Sequence, residues 1–208
     1  MAGCCAPGVS QVEEPRLRRI LWVALVANAV MFVVEVIAGF LSNSVALQAD
    51  ALDFFGDAVN YGITLVVLGL ALRARSIAAL IKAATMALFG MWVIGMAVYR
   101  AFGDTVPDAP IMGGVAVLAL LVNVVVAMML YRYRGGDSNT RSIWLCSRND
   151  AISNVAVLVA ASGVYVSASG WPDIAVAAVI ASLSLSAAYQ VFVQASGELR
   201  HDHASESA

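Results

Sequence analysis

Charged residues are scarce in this chain. Only 12% of its 208 residues are charged and 61% are hydrophobic, whereas a soluble domain usually has about 25% charged and about 45–50% apolar residues. The 12 Lys and Arg residues do not outnumber the 14 Asp and Glu residues, so no basic surface for nucleic acid is expected. The composition excludes an ordinary soluble protein and a disordered one, and it predicts an integral membrane protein.

Histidine and lysine are almost absent. The two histidines, His201 and His203, lie close to the C-terminal end, and Lys82 is the only lysine. The apolar segments therefore contain no histidine that could ligate a haem or serve a Ser-His-Asp or Cys-His arrangement. Lys82 lies near the end of its segment, which does not suit a retinal Schiff base. The sequence does not predict an enzyme.

Six apolar stretches are each long enough to cross a bilayer, which takes about 20 mostly apolar residues. We predict an all-α membrane protein with an N-terminal tail (1–16), a transmembrane domain (17–195) and a C-terminal tail (196–208). The first stretch is longer than the apolar core of a signal peptide and contains Glu35, so we do not expect it to be cleaved. The predicted six-transmembrane-helix bundle has spans at 17–40, 45–72, 77–99, 111–131, 142–166 and 172–195.

Most basic residues fall on one side of this predicted bundle. Positively charged connections stay in the cytoplasm, and only Arg100 would lie in a connection on the other side. We therefore predict that both termini are cytoplasmic and that the protein crosses the inner (plasma) membrane several times. The basic residues on the predicted cytoplasmic side are Arg16, Arg18, Arg19, Arg73, Arg75, Arg132, Arg134, Arg141 and Arg200.

The second stretch carries three acids, Asp50, Asp53 and Asp57. Asp53 and Asp57 are four residues apart, which places them on one helix face about 6 Å apart along the axis, with Asp50 on the flank. Like charges so close repel unless a proton or a cation neutralises one. Ionisable groups in a membrane normally face the bundle interior and mark a pathway. We favour an ion path over purely structural hydrogen-bonding groups or proton-relay acids without metal.

The fifth stretch repeats this spacing. Cys146 and Asp150 are again four residues apart, and Asn154 continues the same stripe. Two helices that each present a pair of oxygen or sulfur ligands can close a four-ligand site, which suits Zn²⁺. The candidate metal ligands are therefore Asp53, Asp57, Asp150 and Cys146. A buried cysteine is usually an inert small side chain, so the ligand role of Cys146 depends on Asp150.

Several polar residues keep more than one interpretation. Glu35 could join the path or balance Lys82 or Arg148, and we prefer a structural or gating role. Arg148 is expected to pair with an acid such as Asp50 or to meet the cytoplasmic headgroups. Four residues of the predicted tails have two interpretations: they scavenge metal at the pore entrance, or they are incidental. They are Cys4, Cys5, His201 and His203.

The segment from Val34 to Asp57, VEVIAGFLSNSVALQADALDFFGD, resembles the cation diffusion facilitator (cation efflux) family. In that family a Glu-containing first span runs through a short Gly/Ser turn into Ser-(Leu/Val)-Ala-Leu-x-Ala-Asp, followed by a ligand pair four residues apart. The stretch from Trp144 to Asn154 falls where the family places its second ligand pair. The six predicted spans are also similar to the family in number, length and topology.

The resemblance implies an exporter of divalent metal ions, usually a homodimer, that exchanges Zn²⁺-like ions for protons by alternating access. It implies that Asp53, Asp57, Asp150 and Cys146 form the transport site, with Cys146 at a position commonly held by His or Asp. Zn²⁺ is the expected cargo, and Cd²⁺, Co²⁺, Mn²⁺ and Fe²⁺ are the other candidates; no permanently bound cofactor is expected.

The chain resembles a short form of the family without the cytoplasmic C-terminal domain, so we expect the spans to hold any dimer. A proton or cation channel and a non-transporting membrane binding or scaffold protein are the alternatives.

Overall fold

The fold is a bundle of α-helices, and no strand occurs among the residues that the structure describes, which confirms the predicted all-α class. The computed structural model describes residues 15–66, 72–132 and 138–206, with side chains described for 15–65, 76–132, 148–197 and 199. The helices are α1 (Pro15–Leu41), α2 (Val45–Val66), α3 (Leu72–Ala101), α4 (Ala109–Tyr131), α5 (Ser138–Ser167) and α6 (Trp171–Glu206).

Among the described residues, all helices except α2 contain a segment long and apolar enough to cross a membrane. In α2 the three acids Asp50, Asp53 and Asp57 lower the hydropathy, although its 22 residues would extend about 33 Å, enough for the hydrocarbon core. α2 packs against α1, α3, α5 and α6. Asp50 and Asp57 are buried and Asp53 is partly buried, so these neighbouring helices cover the acids of α2.

Some helix boundaries differ from the prediction. The second span was predicted at 45–72; the structure describes α2 as far as Val66 and places Leu72 in α3, and residues 67–71 lie outside the described residues. Arg73, Arg75 and Arg141 were predicted to lie in connections, and the structure places them in the first turns of α3 and α5. Arginine is a good helix former, so a helix need not stop at the edge of the apolar segment. α6 likewise continues through the predicted C-terminal tail as far as Glu206.

α1 and α2 form a tight helical hairpin. A Cβ atom built on Gly39 would lie 2.8 Å from Gln48 Cγ and 3.2 Å from the Gln48 backbone nitrogen, so any larger residue would force Gln48 to shift at this crossing. Asn43 in the turn has φ 55°, a left-handed conformation that asparagine adopts more readily than most residues. The Ser44 amide donates to the Gly39 carbonyl at 3.0 Å. The hairpin places Glu35 of α1 beside the first turns of α2.

Three short connections, 42–44, 102–108 and 168–170, meet at one end of the bundle, which we call the turn end. The Asp108 amide donates to the Ser42 carbonyl at 2.8 Å and joins two of these connections. Asp108 also caps α4, because its side chain accepts a hydrogen bond from the Ile111 amide. One backbone hydrogen bond therefore joins two connections that are far apart in sequence at the turn end.

Asp173, near the start of α6, caps α2 from a different helix. Its carboxylate accepts hydrogen bonds from Ser44 Oγ at 2.6 Å, from the Val45 amide at 2.8 Å and from the Ala46 amide at 3.0 Å. The first amides of a helix have no partner within the helix and bind a carboxylate well. Arg100 of α3 interacts electrostatically with the same carboxylate. At the turn end, Asp173 thus fixes α2 against α6.

Candidate functional site

α2 and α5 meet at Asp57 and Asp150. The two carboxyl groups lie within hydrogen-bonding reach of each other. Asp57 also accepts a hydrogen bond from the Tyr61 hydroxyl at 3.0 Å. Asp150 interacts electrostatically with Asp53 and Asp50 as well. A carboxyl group from α5 thus faces the acidic stripe of α2, as the spacing of the residues predicts for two facing helices.

Asp53 is contacted from α6. The Ser184 hydroxyl donates to Asp53 Oδ1 at 3.1 Å, and Ser184 is buried. The Ser153 hydroxyl of α5 lies close to both Asp53 and Asp50. Hydroxyl groups of α5 and α6 therefore lie beside Asp50 and Asp53 of α2.

Tyr61 and Ser184, which donate to these acids, were not among the residues predicted from the sequence. Tyr61 follows Asp57 by four residues, the same spacing that pairs Asp53 with Asp57, so this neighbour was detectable from the sequence. Ser184 carries no such local signal, because its contact with Asp53 depends on how α6 packs against α2.

A second pair of acids, Glu35 of α1 and Asp50 of α2, lies nearer the turn end. The two side chains are 0% and 1% exposed, and their carboxyl groups are close enough to share a proton. As carboxylates neither can donate, and although the Ser153 hydroxyl lies close to Asp50, no described group has hydrogen-bonding geometry toward any of the four oxygen atoms. Burying charge without a partner is costly, so this pair requires a proton or a cation.

Lys82 of α3 lies beside the acids of α2. Its side chain is 4% exposed, its Nζ donates to Asn60 Oδ1, and its charge acts on Asp57. Glu35, for which the sequence left open a place in the path or a balance with Lys82 or Arg148, interacts with Asp50 and Asp53 of α2. Arg148 is exposed and donates to Asn149 Oδ1 at 3.2 Å; its position at the headgroups stays a prediction.

Of the predicted metal ligands, the structure brings Asp57 and Asp150 together and places Asp53 in the same acidic stripe. The side chain of Cys146 lies outside the described residues. Among the side chains that are described, no three His, Cys, Asp or Glu residues are grouped closely enough to hold a metal ion, and the four-ligand set stays a prediction. Also outside the described residues are Cys4, Cys5 and the side chains of His201 and His203.

The geometry combines a buried acidic stripe, a facing carboxyl group and several membrane-crossing helices. Residues 21–199 match the family described as the cation efflux transmembrane domain. The chain belongs to the cation efflux family. Membership confirms the predicted resemblance, and the family is one of multi-pass membrane transporters and not an enzyme class.

The chain is similar to several bacterial proteins. It is 26% identical to the cadmium, cobalt and zinc/H(+)-K(+) antiporter of Bacillus subtilis (strain 168) over 195 residues, 86% of this chain and 62% of the relative. It is 32% identical to the zinc transporter ZitB of Pectobacterium atrosepticum over 168 residues, 73% of this chain and 51% of the relative.

A third relative is the magnetosome protein MamB of Magnetospirillum gryphiswaldense, 31% identical over 186 residues, 81% of this chain and 60% of the relative. The chain spans between half and two thirds of the length of these relatives.

Proposed function

We propose that this chain exports divalent metal ions from the cytoplasm across the plasma membrane in exchange for protons. The observation that carries the proposal is the contact between the Asp57 and Asp150 carboxyl groups inside the bundle. One acid belongs to α2 and the other to α5, so a small relative movement of the two helices would alter the site. The names of two relatives, an antiporter for cadmium, cobalt and zinc and a zinc transporter, support a divalent metal as cargo.

The proposed ligands are Asp53, Asp57, Asp150 and Cys146. Three carboxylates and one thiolate provide four ligands, the number that tetrahedral Zn²⁺ prefers. Thiolate favours softer ions such as Zn²⁺ and Cd²⁺, whereas carboxylates suit Mn²⁺ and Fe²⁺. We propose Zn²⁺ as the main cargo. A Cys146→Ser variant tests the thiolate, because loss of a sulfur ligand should weaken Cd²⁺ binding more than Mn²⁺ binding.

Exchange for protons follows from the chemistry of the same side chains. Metal ligands must be deprotonated, so protons and metal compete for the site. An empty site with several ionised carboxyl groups is costly to keep in a low-dielectric interior, and protons taken up from outside would remove that cost on the return step. The basic residues near the helix ends support a cytoplasmic location of both termini. The homodimer stays a prediction.

Reconstituted vesicles test the proposal. We expect saturable Zn²⁺ flux that moves protons in the opposite direction, measured with a metal-sensitive and a pH-sensitive dye. Asp57→Asn and Asp150→Asn should each reduce the flux about 100-fold, because each removes a charged ligand. Asp108→Asn is the matched control: it also removes one acid, but at the exposed cap of α4, where asparagine caps equally well.

Wild-type flux in both Asp57→Asn and Asp150→Asn would refute the proposed site. Flux that does not saturate and moves no protons would instead favour a channel. The absence of flux with Zn²⁺, Cd²⁺, Co²⁺, Mn²⁺ and Fe²⁺ alike would refute transport.

A further inference from the structure

Lys82 is a buried cation next to the proposed metal site. It is 4% exposed, and its Nζ donates to Asn60 Oδ1, three residues along α2 from Asp57. A Cβ atom built on Gly56 would lie 4.0 Å from Lys82 Cε, so the lysine stem runs along α2 beside the acidic stripe. Lys82 is the only lysine in the chain, and it lies beside these acids.

An ammonium group is kept in a membrane interior only when opposite charge or polar groups surround it. Here the amide oxygen of Asn60 accepts a hydrogen bond from Lys82 Nζ, and Asp57 lies within electrostatic reach of the same ammonium group. Asp57 in turn faces Asp150, so the site contains more acids than the single lysine can balance. One positive charge therefore offsets part of the negative charge of the site before any metal arrives.

The same charge must act on an arriving metal ion. A divalent cation bound between Asp57 and Asp150 would be repelled by the Lys82 ammonium, and the repulsion is strong where water is excluded. The lysine therefore lowers the affinity of the site for metal and favours its release. The hydrogen bond to Asn60 holds the ammonium beside the site, where a flexible four-carbon stem would otherwise allow it to leave.

We propose that Lys82 is a built-in counter-charge of the metal site, which weakens divalent-cation binding and thereby sets the metal concentration at which the transporter works. This inference rests on the proposed function. It assigns to α3, the helix that carries Lys82, a direct electrostatic role in selecting and releasing the cargo. An alternative is that Lys82 only fastens α3 to α2 through Asn60, and the two roles predict opposite effects on affinity.

Calorimetric Zn²⁺ binding to the purified full chain separates these roles. Lys82→Met removes the charge and keeps a similar length. We expect it to bind Zn²⁺ at least about tenfold more tightly, because a positive charge near the ion is lost. In vesicles the same variant should show a lower KM together with a lower kcat, since a more tightly bound ion leaves more slowly. Lys82→Arg keeps the charge and should restore values within about threefold of the wild type.

Arg19→Gln is the matched control, because it also removes one positive charge but from an exposed position in α1; its Zn²⁺ affinity should not change. If Lys82→Met does not fold, Lys82→Gln keeps a hydrogen-bond donor for Asn60 and gives the same test. Unchanged or weaker Zn²⁺ binding in the neutral variants would overturn the inference, as would Lys82→Arg behaving like Lys82→Met. A wild-type protein that neither binds nor transports metal would overturn the proposed function itself.

Discussion

Removal of the Asp173 carboxylate should strongly destabilise the bundle. Asp173 is 1% exposed and belongs to α6, yet its hydrogen bonds satisfy the N-terminal amides of Val45 and Ala46 at the start of α2. In Asp173→Ala these buried donors lose their acceptor, the Ser44 hydroxyl loses its partner, and Arg100 loses a nearby negative charge. Packing alone cannot replace these contacts.

The size of the effect follows from this environment. Each hydrogen bond to a charged group contributes about 1.5–3 kcal/mol, but contributions that share one carboxylate do not add. Breaking a buried charged contact by removing one partner typically costs about 3–5 kcal/mol, and we expect a loss in this range. For a chain of this length that corresponds to a melting temperature lower by roughly 10 °C. Asp173→Asn keeps one acceptor oxygen and should lose about half as much.

The assay is the midpoint of thermal unfolding of the detergent-solubilised protein. Asp108→Ala is the control, since Asp108 caps α4 through a single hydrogen bond, to the Ile111 amide at 3.1 Å, from an exposed position; this change should cost about 1 kcal/mol. The reasoning would be refuted if Asp173→Ala and Asp108→Ala lowered the midpoint equally, or if Asp173→Asn lowered it as much as Asp173→Ala.

Three further changes probe the hairpin and the two groups of acids. Gly39→Ala should destabilise the protein by about 1–3 kcal/mol through overpacking against α2, whereas Gly95→Ala, with no neighbour within 4 Å of the new atom, should be neutral or stabilising in thermal unfolding. Ser184→Ala removes the hydrogen bond to Asp53 and should raise the KM for Zn²⁺ about tenfold in vesicle transport, the effect typical of losing a group that orients a metal ligand. Glu35→Gln should raise the free energy of unfolding by about 1–2 kcal/mol, because an amide can donate to the neighbouring buried acid.

Each of these predictions has an outcome that contradicts it. Equal melting temperatures for Gly39→Ala and Gly95→Ala would mean that α1 and α2 are not in tight contact at this point. Ser182→Ala is the control for Ser184, since the exposed Ser182 hydroxyl donates within its own helix; equal KM values in the two variants would exclude a role of Ser184 at Asp53. A lower stability of Glu35→Gln would show that the second pair of acids is already balanced.

Sequence alone determined the helices and the spacing of acids within each helix. A membrane span needs about 20 apolar residues, and such runs are visible in the sequence. The predicted span at 111–131 coincides closely with α4 (Ala109–Tyr131). The predicted first and last spans likewise fall on the apolar segments of α1 and α6. The pairing of Asp53 with Asp57 follows from the helical repeat of 3.6 residues, which holds wherever the backbone is helical. Helix ends were less predictable, as α3 and α5 show, because a helix can continue beyond the apolar segment.

Only the tertiary structure decided which of these residues meet. The contacts of Glu35 with Asp50, of Lys82 with Asn60 and of Asp173 with the first amides of α2 all join different helices. Such contacts depend on how each helix is rotated about its axis and how far it slides along its neighbour. In a membrane, close packing of small residues and a few interhelical hydrogen bonds fix these rotations. Which residues of different helices meet therefore cannot be read from their order in the sequence.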